Sequence, residues 1–83
     1  MRVSGSFPGV YRAVVTDAQD PQQRGRVEIE VPEVSAQQRS WAPVLAPGRA
    51  TFAGPERGDA VLVAFEAGDP DRPVVLGLLP NRV

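Results

Sequence analysis

The sequence predicts a small all-β domain, folded as a five-stranded antiparallel barrel. Five short segments are rich in β-branched, aromatic and aliphatic residues, and polar stretches with Gly and Pro separate them. No segment shows a helical period. Because a barrel removes the unpaired edges of an open sheet, we expect a closed OB-like barrel, and an SH3-like barrel fits the same strand count.

The N-terminal part predicts a lead-in and a first strand. Residues 1–9 are short and polar, and we expect them to form a flexible lead-in that ends where Phe7 or Tyr11 meets the core. Residues 11–17 have strand composition. Residues 17–25 are polar and contain Pro and Gly, which predicts a loop that returns the chain antiparallel.

The second strand has the clearest pattern in the sequence. Residues 26–31 alternate strictly, so Val27, Ile29 and Val31 should face the core while Arg26, Glu28 and Glu30 face solvent. Pro32 cannot donate a backbone hydrogen bond, so the strand should end near it.

The middle of the chain predicts one strand between two irregular stretches. Residues 33–40 are polar and read as a crossing, and residues 41–46 read as a third strand with Pro43 at an edge or a bulge. Residues 47–57 hold too many Gly and Pro residues for a helix. We expect Phe52 to fold back from this stretch as an apolar plug over one end of the core.

A β-hairpin over residues 58–79 organises the rest of the fold. Two nearly continuous apolar runs flank a turn in which Gly68 can adopt positive φ and Pro70 and Pro73 restrict φ. Runs of this kind should be covered on both faces in the finished structure or assembly.

Composition limits the classes of function. The 83 residues can build only a thin core and include no cysteine, so oligomerisation or docking on a partner is the expected supplement. Nine arginines face ten acidic residues, and a net charge of −1 disfavours a polyanionic partner. No signal peptide or membrane-length apolar window occurs, which predicts cytoplasmic synthesis and no membrane binding.

No catalytic, cofactor or metal site is predicted. Without His or Cys, the usual nucleophilic triads and nearly all structural zinc sites are excluded. Glu28 and Glu30 share a strand face, but we read them as its solvated side. Asp69 and Asp71, with Asp17 and Asp59, could surround a calcium ion, but the loop lacks the ligand count of a calcium motif, and turn chemistry explains Asp69 and Asp71 better.

Two classes of binding stay open. A single-strand nucleic-acid-binding OB module would use Trp41 and Tyr11 as stacking platforms, although packing explains these aromatics better. A protein interface is favoured, because a small barrel cannot bury both faces of two apolar strands. The candidate interface residues are Arg24, Arg26, Arg57, Arg72, Val61, Val63, Phe65, Leu76 and Leu78.

The order of short motifs over about residues 10–81 resembles a known family. The most specific piece is Gly-Asp-Pro-Asp-Arg-Pro-Val-Val-Leu-Gly at 68–77. Supporting pieces, in order, are Asp-Pro at 20–21, Arg-Gly-Arg-Val at 24–27, Pro-Glu-Val at 32–34, Trp-Ala at 41–42, Pro-Glu at 55–56, Gly-Asp at 58–59 and Val-Leu-Val-Ala-Phe-Glu at 61–66. Together they resemble the OB domain of the phage baseplate assembly protein V family, which includes VgrG-type spike proteins.

This resemblance implies a structural part of a phage tail or related contractile injection particle. The expected domain spans residues 10–81 with a tail at 82–83, it joins tail hub to spike or needle proteins, and it works as a homotrimer in the assembly. In larger members the chain continues beyond the segment matching residues 77–81 into a β-helical needle. We therefore expect neither a needle nor an enzymatic activity from this chain.

Overall fold

The computed structural model describes residues 6–50 and 52–80, without the side chains of residues 35–37. In this span the chain forms five strands and one short 3-10 turn, Glu66–Gly68. The strands are β1 (Val10–Asp17), β2 (Val27–Val31), β3 (Ser35–Ala42), β4 (Ala60–Phe65) and β5 (Pro73–Leu78). Most of the predicted lead-in and the whole predicted tail lie outside the described residues. No described helix is long and apolar enough to cross a membrane.

The strands form one curled sheet in the order β3-β2-β1-β4-β5, and all its neighbouring strands are antiparallel. β4 pairs with β1 and not with β3, so the chain crosses over in a Greek-key connection. An SH3-like barrel would instead pair its middle strands consecutively. The topology is therefore OB-like, and the prediction of a small five-stranded antiparallel all-β fold is confirmed.

The sheet curls until its two edge strands meet at one point. Val44, just after β3, forms a parallel bridge with Val75 of β5. The Val75 N–H donates to the Pro43 carbonyl at 2.9 Å, and the Leu45 N–H donates to the Val75 carbonyl at 2.9 Å. This contact closes the barrel locally.

The core lies inside the curl and draws on every strand. Its buried residues are Ala13, Val15, Val27, Ile29, Val31, Ala42, Val61, Val63, Phe65 and Val75. The predicted alternation of β2 is confirmed, because Val27, Ile29 and Val31 are buried and the residues between them are only partly buried. The apolar face of β2 thus places its side chains at the centre of the domain.

The prediction for the third strand is wrong in its bounds. Residues 33–40 were expected to cross as a loop, but a tight turn after β2 returns the chain at once, with the Val34 N–H donating to the Val31 carbonyl at 3.0 Å. β3 then runs along β2 from Ser35 to Ala42, with a register shift near Val31. Backbone hydrogen bonds hold an edge strand regardless of side-chain polarity, so the polar sequence hid it.

Phe52 does not plug the core as predicted. It is 40% exposed, while Pro55 from the same stretch is buried. The barrel end near the start of β1 is covered by Phe7 and Tyr11, whose rings lie 5.9 and 5.5 Å from the ring of Phe65. The expectation that Phe7 or Tyr11 meets the core is confirmed.

The hairpin of β4 and β5 is confirmed, and its turn is held by local bonds. The Glu66 N–H donates to the Arg72 carbonyl at 2.9 Å, and the Asp71 N–H donates to Asp69 Oδ1 at 2.9 Å. Gly68 has φ of 74°, as predicted for a glycine in this turn. Ala67 also has positive φ, at 54°, which an L-residue adopts at some cost.

Candidate interaction surfaces

An apolar groove lies outside the core, between β5 and the stretch that follows β3. Its volume is about 270 Å³, and none of its lining residues that the structure describes has a polar side chain. The residues that define this apolar groove are Val44, Leu45, Phe52, Pro55, Leu76 and Leu78. A concave surface of this composition on a small domain is typical of a protein-binding site.

The groove exists because the chain leaves regular pairing at this edge of the sheet. β5 has a register shift opposite Leu62 and Val63, and the described residues of 43–50 and 52–59 contain no strand. Leu45 is 56% exposed and Leu78 is 59% exposed. Neither side chain belongs to the buried core cluster of the domain.

The burial of β4 corrects part of the predicted interface. Val61 and Val63 are fully buried, and Phe65 is nearly so. These three side chains occupy the inward positions of β4, whose burial alternates along the strand, so they belong to the domain's own core and do not line a surface. Leu76 and Leu78, from the same prediction, are exposed and line the apolar groove.

Arg26 is bound within the domain. Its Nε and Nη2 donate to the two carboxylate oxygens of Asp20, at 2.8 and 3.1 Å. Asp20 also accepts the backbone N–H groups of Gln22, Arg24 and Arg26, and its side chain is only 3% exposed. The Arg26 guanidinium, with these N–H groups, holds the pKa of Asp20 far below its ordinary value despite the opposing effect of burial. In turn, Asp20 raises the pKa of Arg26.

The other three predicted arginines lie at the surface. Arg72 approaches Glu66 at 3.7 Å, and both side chains are about half exposed, so this pair contributes at most about 1 kcal/mol. Arg24 and Arg57 are exposed and form no ion pair within residues 6–50 and 52–80. The structure therefore separates a structural Arg26 from three surface arginines.

The outward face of β2 and β3 is occupied by internal contacts. Glu28 Oε1 accepts a hydrogen bond from Thr16 Oγ1 at 2.9 Å, and Glu30 faces Arg39 at 3.7 Å. The Arg26 guanidinium lies 6.0 Å from the centre of the Trp41 ring. The predicted solvent-facing carboxylates thus sit in a charge-paired surface, and Trp41 packs beneath an arginine.

Three of these four aspartates accept backbone N–H groups in loops and turns, which confirms the predicted turn role of Asp69. Asp17 Oδ1 accepts the Gln19 N–H at 2.8 Å, and Asp59 Oδ2 accepts the Glu56 N–H at 2.8 Å. Asp69 does the same within the hairpin turn. In the described part of the chain, no three potential ligands cluster around a common point.

Sequence reasoning missed Leu45 and Phe52 as members of a surface site, and it did not predict the exposed valines of β1. Val10 and Val14 lie on the outward side of β1, with exposures of 54% and 44%. Apolar residues at the outward positions of a strand are the sequence signal that could have indicated these exposed valines. That signal cannot be read until the inward positions are known.

The similarities to known proteins agree with this fold. A family model described as the type VI secretion system/phage-baseplate injector OB domain matches residues 11–79. The matched span begins in β1 and extends just past the end of β5. No curated protein matches the chain.

Proposed function

Because this chain belongs to the family of type VI secretion system/phage-baseplate injector OB domains, we propose that it joins the tail hub to the spike of a contractile particle. Family membership makes the chain a structural domain of a phage baseplate or injection apparatus. The hub-to-spike position is the proposal. The observation that carries it is the apolar groove, which gives the domain a ready docking surface.

The groove offers enough apolar surface to matter for assembly. Full burial of one Leu or Phe side chain contributes about 1.5–3 kcal/mol. Four groove residues are each more than a third exposed: Leu45, Phe52, Leu76 and Leu78. A partner that covers them therefore gains a substantial fraction of this burial free energy at each of the four positions. Such a cluster of aliphatic and aromatic side chains is typical of the centre of an interface.

A homotrimer is the proposed state of the domain in the assembly. Besides the apolar groove beside β5, the chain exposes Val10 and Val14 on β1, on either side of the exposed Arg12. Two unlike surfaces that meet between neighbouring copies form a head-to-tail interface, which closes into a ring when the rotation permits. Light scattering over a range of concentrations tests this. A solution mass three times that of the chain supports the ring, and a monomer at every concentration would mean that the isolated chain forms no ring and that a trimer requires docking on the hub.

The surface arginines support docking to a protein. Arg24 and Arg57 are exposed, and Arg72 forms only a long, solvent-exposed ion pair. Guanidinium groups at such positions can form bidentate bonds with carboxylates of a partner. In this proposal Arg24, which lies beside Val44, Phe52 and Pro55, belongs to the polar rim of the contact, and the apolar groove forms its centre.

Nucleic-acid binding is the competing proposal, and the geometry gives it less support. On the outward face of β2 and β3, Arg26 and Arg39 each face an acidic partner within the domain. A titration with a fluorescent single-stranded oligonucleotide tests it directly. Binding that weakens steeply with salt would favour the nucleic-acid module over the hub-to-spike joint.

Complementation of a deletion strain tests the proposed function. Leu78→Asp places a charge in the apolar groove without touching the core, and Gln22→Glu adds the same charge at an exposed loop position. We expect Leu78→Asp to fold and to abolish spike-bearing particles in electron micrographs, while Gln22→Glu supports wild-type numbers. Equal particle numbers from both variants would refute the proposal.

A further inference from the structure

The line along which the edge strands β3 and β5 approach each other is called the seam here. Among the described residues, backbone hydrogen bonds cross this seam only at Val75. The next pair of hydrogen bonds towards the N-terminal ends of both strands would need the N–H groups of Pro43 and Pro73. Proline has no N–H group, so neither bond can form. The ladder therefore stops, and the part of β3 before Pro43 borders the seam without a partner strand among the described residues.

The backbone of this part of β3 points its hydrogen-bonding groups into the seam. Groups of alternate residues point to the same side of a strand. Because Pro43 and Leu45 bond to β5, the N–H and C=O groups of Arg39 and Trp41 point the same way. The groups of Ser40 face β2, where Ser40 pairs with Ile29. Arg39 and Trp41 thus present two donors and two acceptors along one edge.

A pocket of about 130 Å³ lies on the inner side of the same seam. Its apolar walls include Ile29, Val31 and Phe65, and Asp71 is the only charged residue among the described ones that line it. The volume suits one apolar side chain of moderate size. An additional strand on the β3 edge would direct its inward side chains to this position, because side chains alternate across a strand.

We propose that the seam edge of β3 binds an extended segment of a neighbouring particle protein by β-strand addition, with one apolar side chain of that segment in the pocket. The identity of the partner rests on the proposed function. Alternating donors and acceptors at strand spacing match a polypeptide backbone better than a small molecule. The segment is apolar at one inward position, and it carries no acidic residue beside Asp71, which would repel it.

A second copy of this chain fits the edge less well. In an edge-to-edge pair, the inward positions offered by the other β3 would be Gln38 and Ser40, which already line the pocket as polar residues. They cannot fill apolar walls, and burying their polar groups without partners is unfavourable. The occupant is therefore a segment of a different protein.

Hydrogen exchange compares the isolated chain with the chain in purified particles. We expect the amides of Arg39 and Trp41 to exchange at least about tenfold more slowly in the particle, since strand addition bonds them. Unchanged exchange in particles that contain the chain would overturn this inference and leave the proposed function standing. Absence of the chain from particles would refute the proposed function itself. Protection that rises with concentration of the isolated chain would identify a second copy as the occupant and overturn the inference.

A matched pair of variants separates the backbone from the side chain. Arg39→Pro removes the seam-facing N–H and leaves the hydrogen bonds to β2, which an edge position tolerates. Arg39→Ala removes only the side chain and its 3.7 Å contact with Glu30. We expect Arg39→Pro to reduce recovery in particles about tenfold or more, and Arg39→Ala to remain within about twofold of wild type. Equal recovery of the two folded variants would overturn the inference; if Arg39→Pro does not fold, the exchange measurement decides.

Discussion

Shortening Ile29 should destabilise the domain by an amount that depends on where the resulting cavity opens. Ile29 is among the largest fully buried side chains, and it also lines the pocket at the seam. Ile→Ala substitutions in cores cost about 2–5 kcal/mol, and Ile→Val about 0.5–1.5 kcal/mol. Because the new cavity joins a pocket open to solvent, we expect the lower part of each range, about 2–3 kcal/mol for Ile29→Ala.

Ile29→Asp is the stronger form of the same perturbation. A buried carboxylate without a partner costs several kcal/mol. At about 0.05–0.15 kcal/mol per residue, a domain of 83 residues has a total stability of only about 4–12 kcal/mol. We therefore expect Ile29→Asp to be largely unfolded at room temperature.

Glu28→Ala is the control on the opposite face of the same strand. It removes the 2.9 Å hydrogen bond from Thr16, a loss of about 0.5–1.5 kcal/mol. Guanidinium denaturation followed by Trp41 fluorescence gives the free energy of unfolding for each variant. If Ile29→Ala costs no more than Glu28→Ala, or if Ile29→Asp stays folded, the assigned faces of β2 are wrong.

Two further predictions concern the loops. Asp20, with its pKa held below the ordinary value of 3.8, adds stability that is complete above that value and is lost as pH falls through its folded pKa. The melting temperature of the wild type should therefore fall more steeply below about pH 4 than that of Asp20→Asn, and parallel slopes would contradict the role of the Arg26 contact. Gly68 has φ of 74°, and the Cβ of an alanine at this position would lie only 3.0 Å from Ser6 Oγ. Gly68→Ala should therefore lower the free energy of unfolding, measured by denaturant titration, by about 1–3 kcal/mol. Gly54→Ala is the control, because a Cβ added there has no atom within 4 Å, and it should change stability by less than about 0.5 kcal/mol. Equal losses of stability in the two variants would refute the backbone strain inferred at Gly68.

Local sequence rules predicted most of the strands but not all their bounds. The alternation of β2 and the Gly and Pro residues of the β4–β5 turn depend on neighbours in the chain, and both predictions are confirmed. The third strand was misplaced because its polar residues follow no apolar period. It forms by backbone pairing with β2 after the turn at residues 32–34.

The candidate surfaces could be predicted only in part. The apolar character of Leu76 and Leu78 predicts an interface, and both residues are exposed. The same character predicts an interface at Val61 and Val63, but both are buried. Sequence alone cannot separate these pairs, because both apolar runs are nearly continuous. The distinction comes from which positions of β4 and β5 face inward.

The all-β class, the amphipathic face of β2, the hairpin turn and the family follow from periodicity, turn chemistry and motif order, which are local properties of the chain. Which apolar residues form the core and which line the apolar groove depends on the packing of the strands. This packing also makes Pro43 and Pro73 interrupt the same ladder. Each proline is visible in the sequence, but the missing bonds coincide only when the parallel bridge sets Val44 opposite Val75. Pairings of this kind join residues far apart in the chain, so no local pattern specifies them.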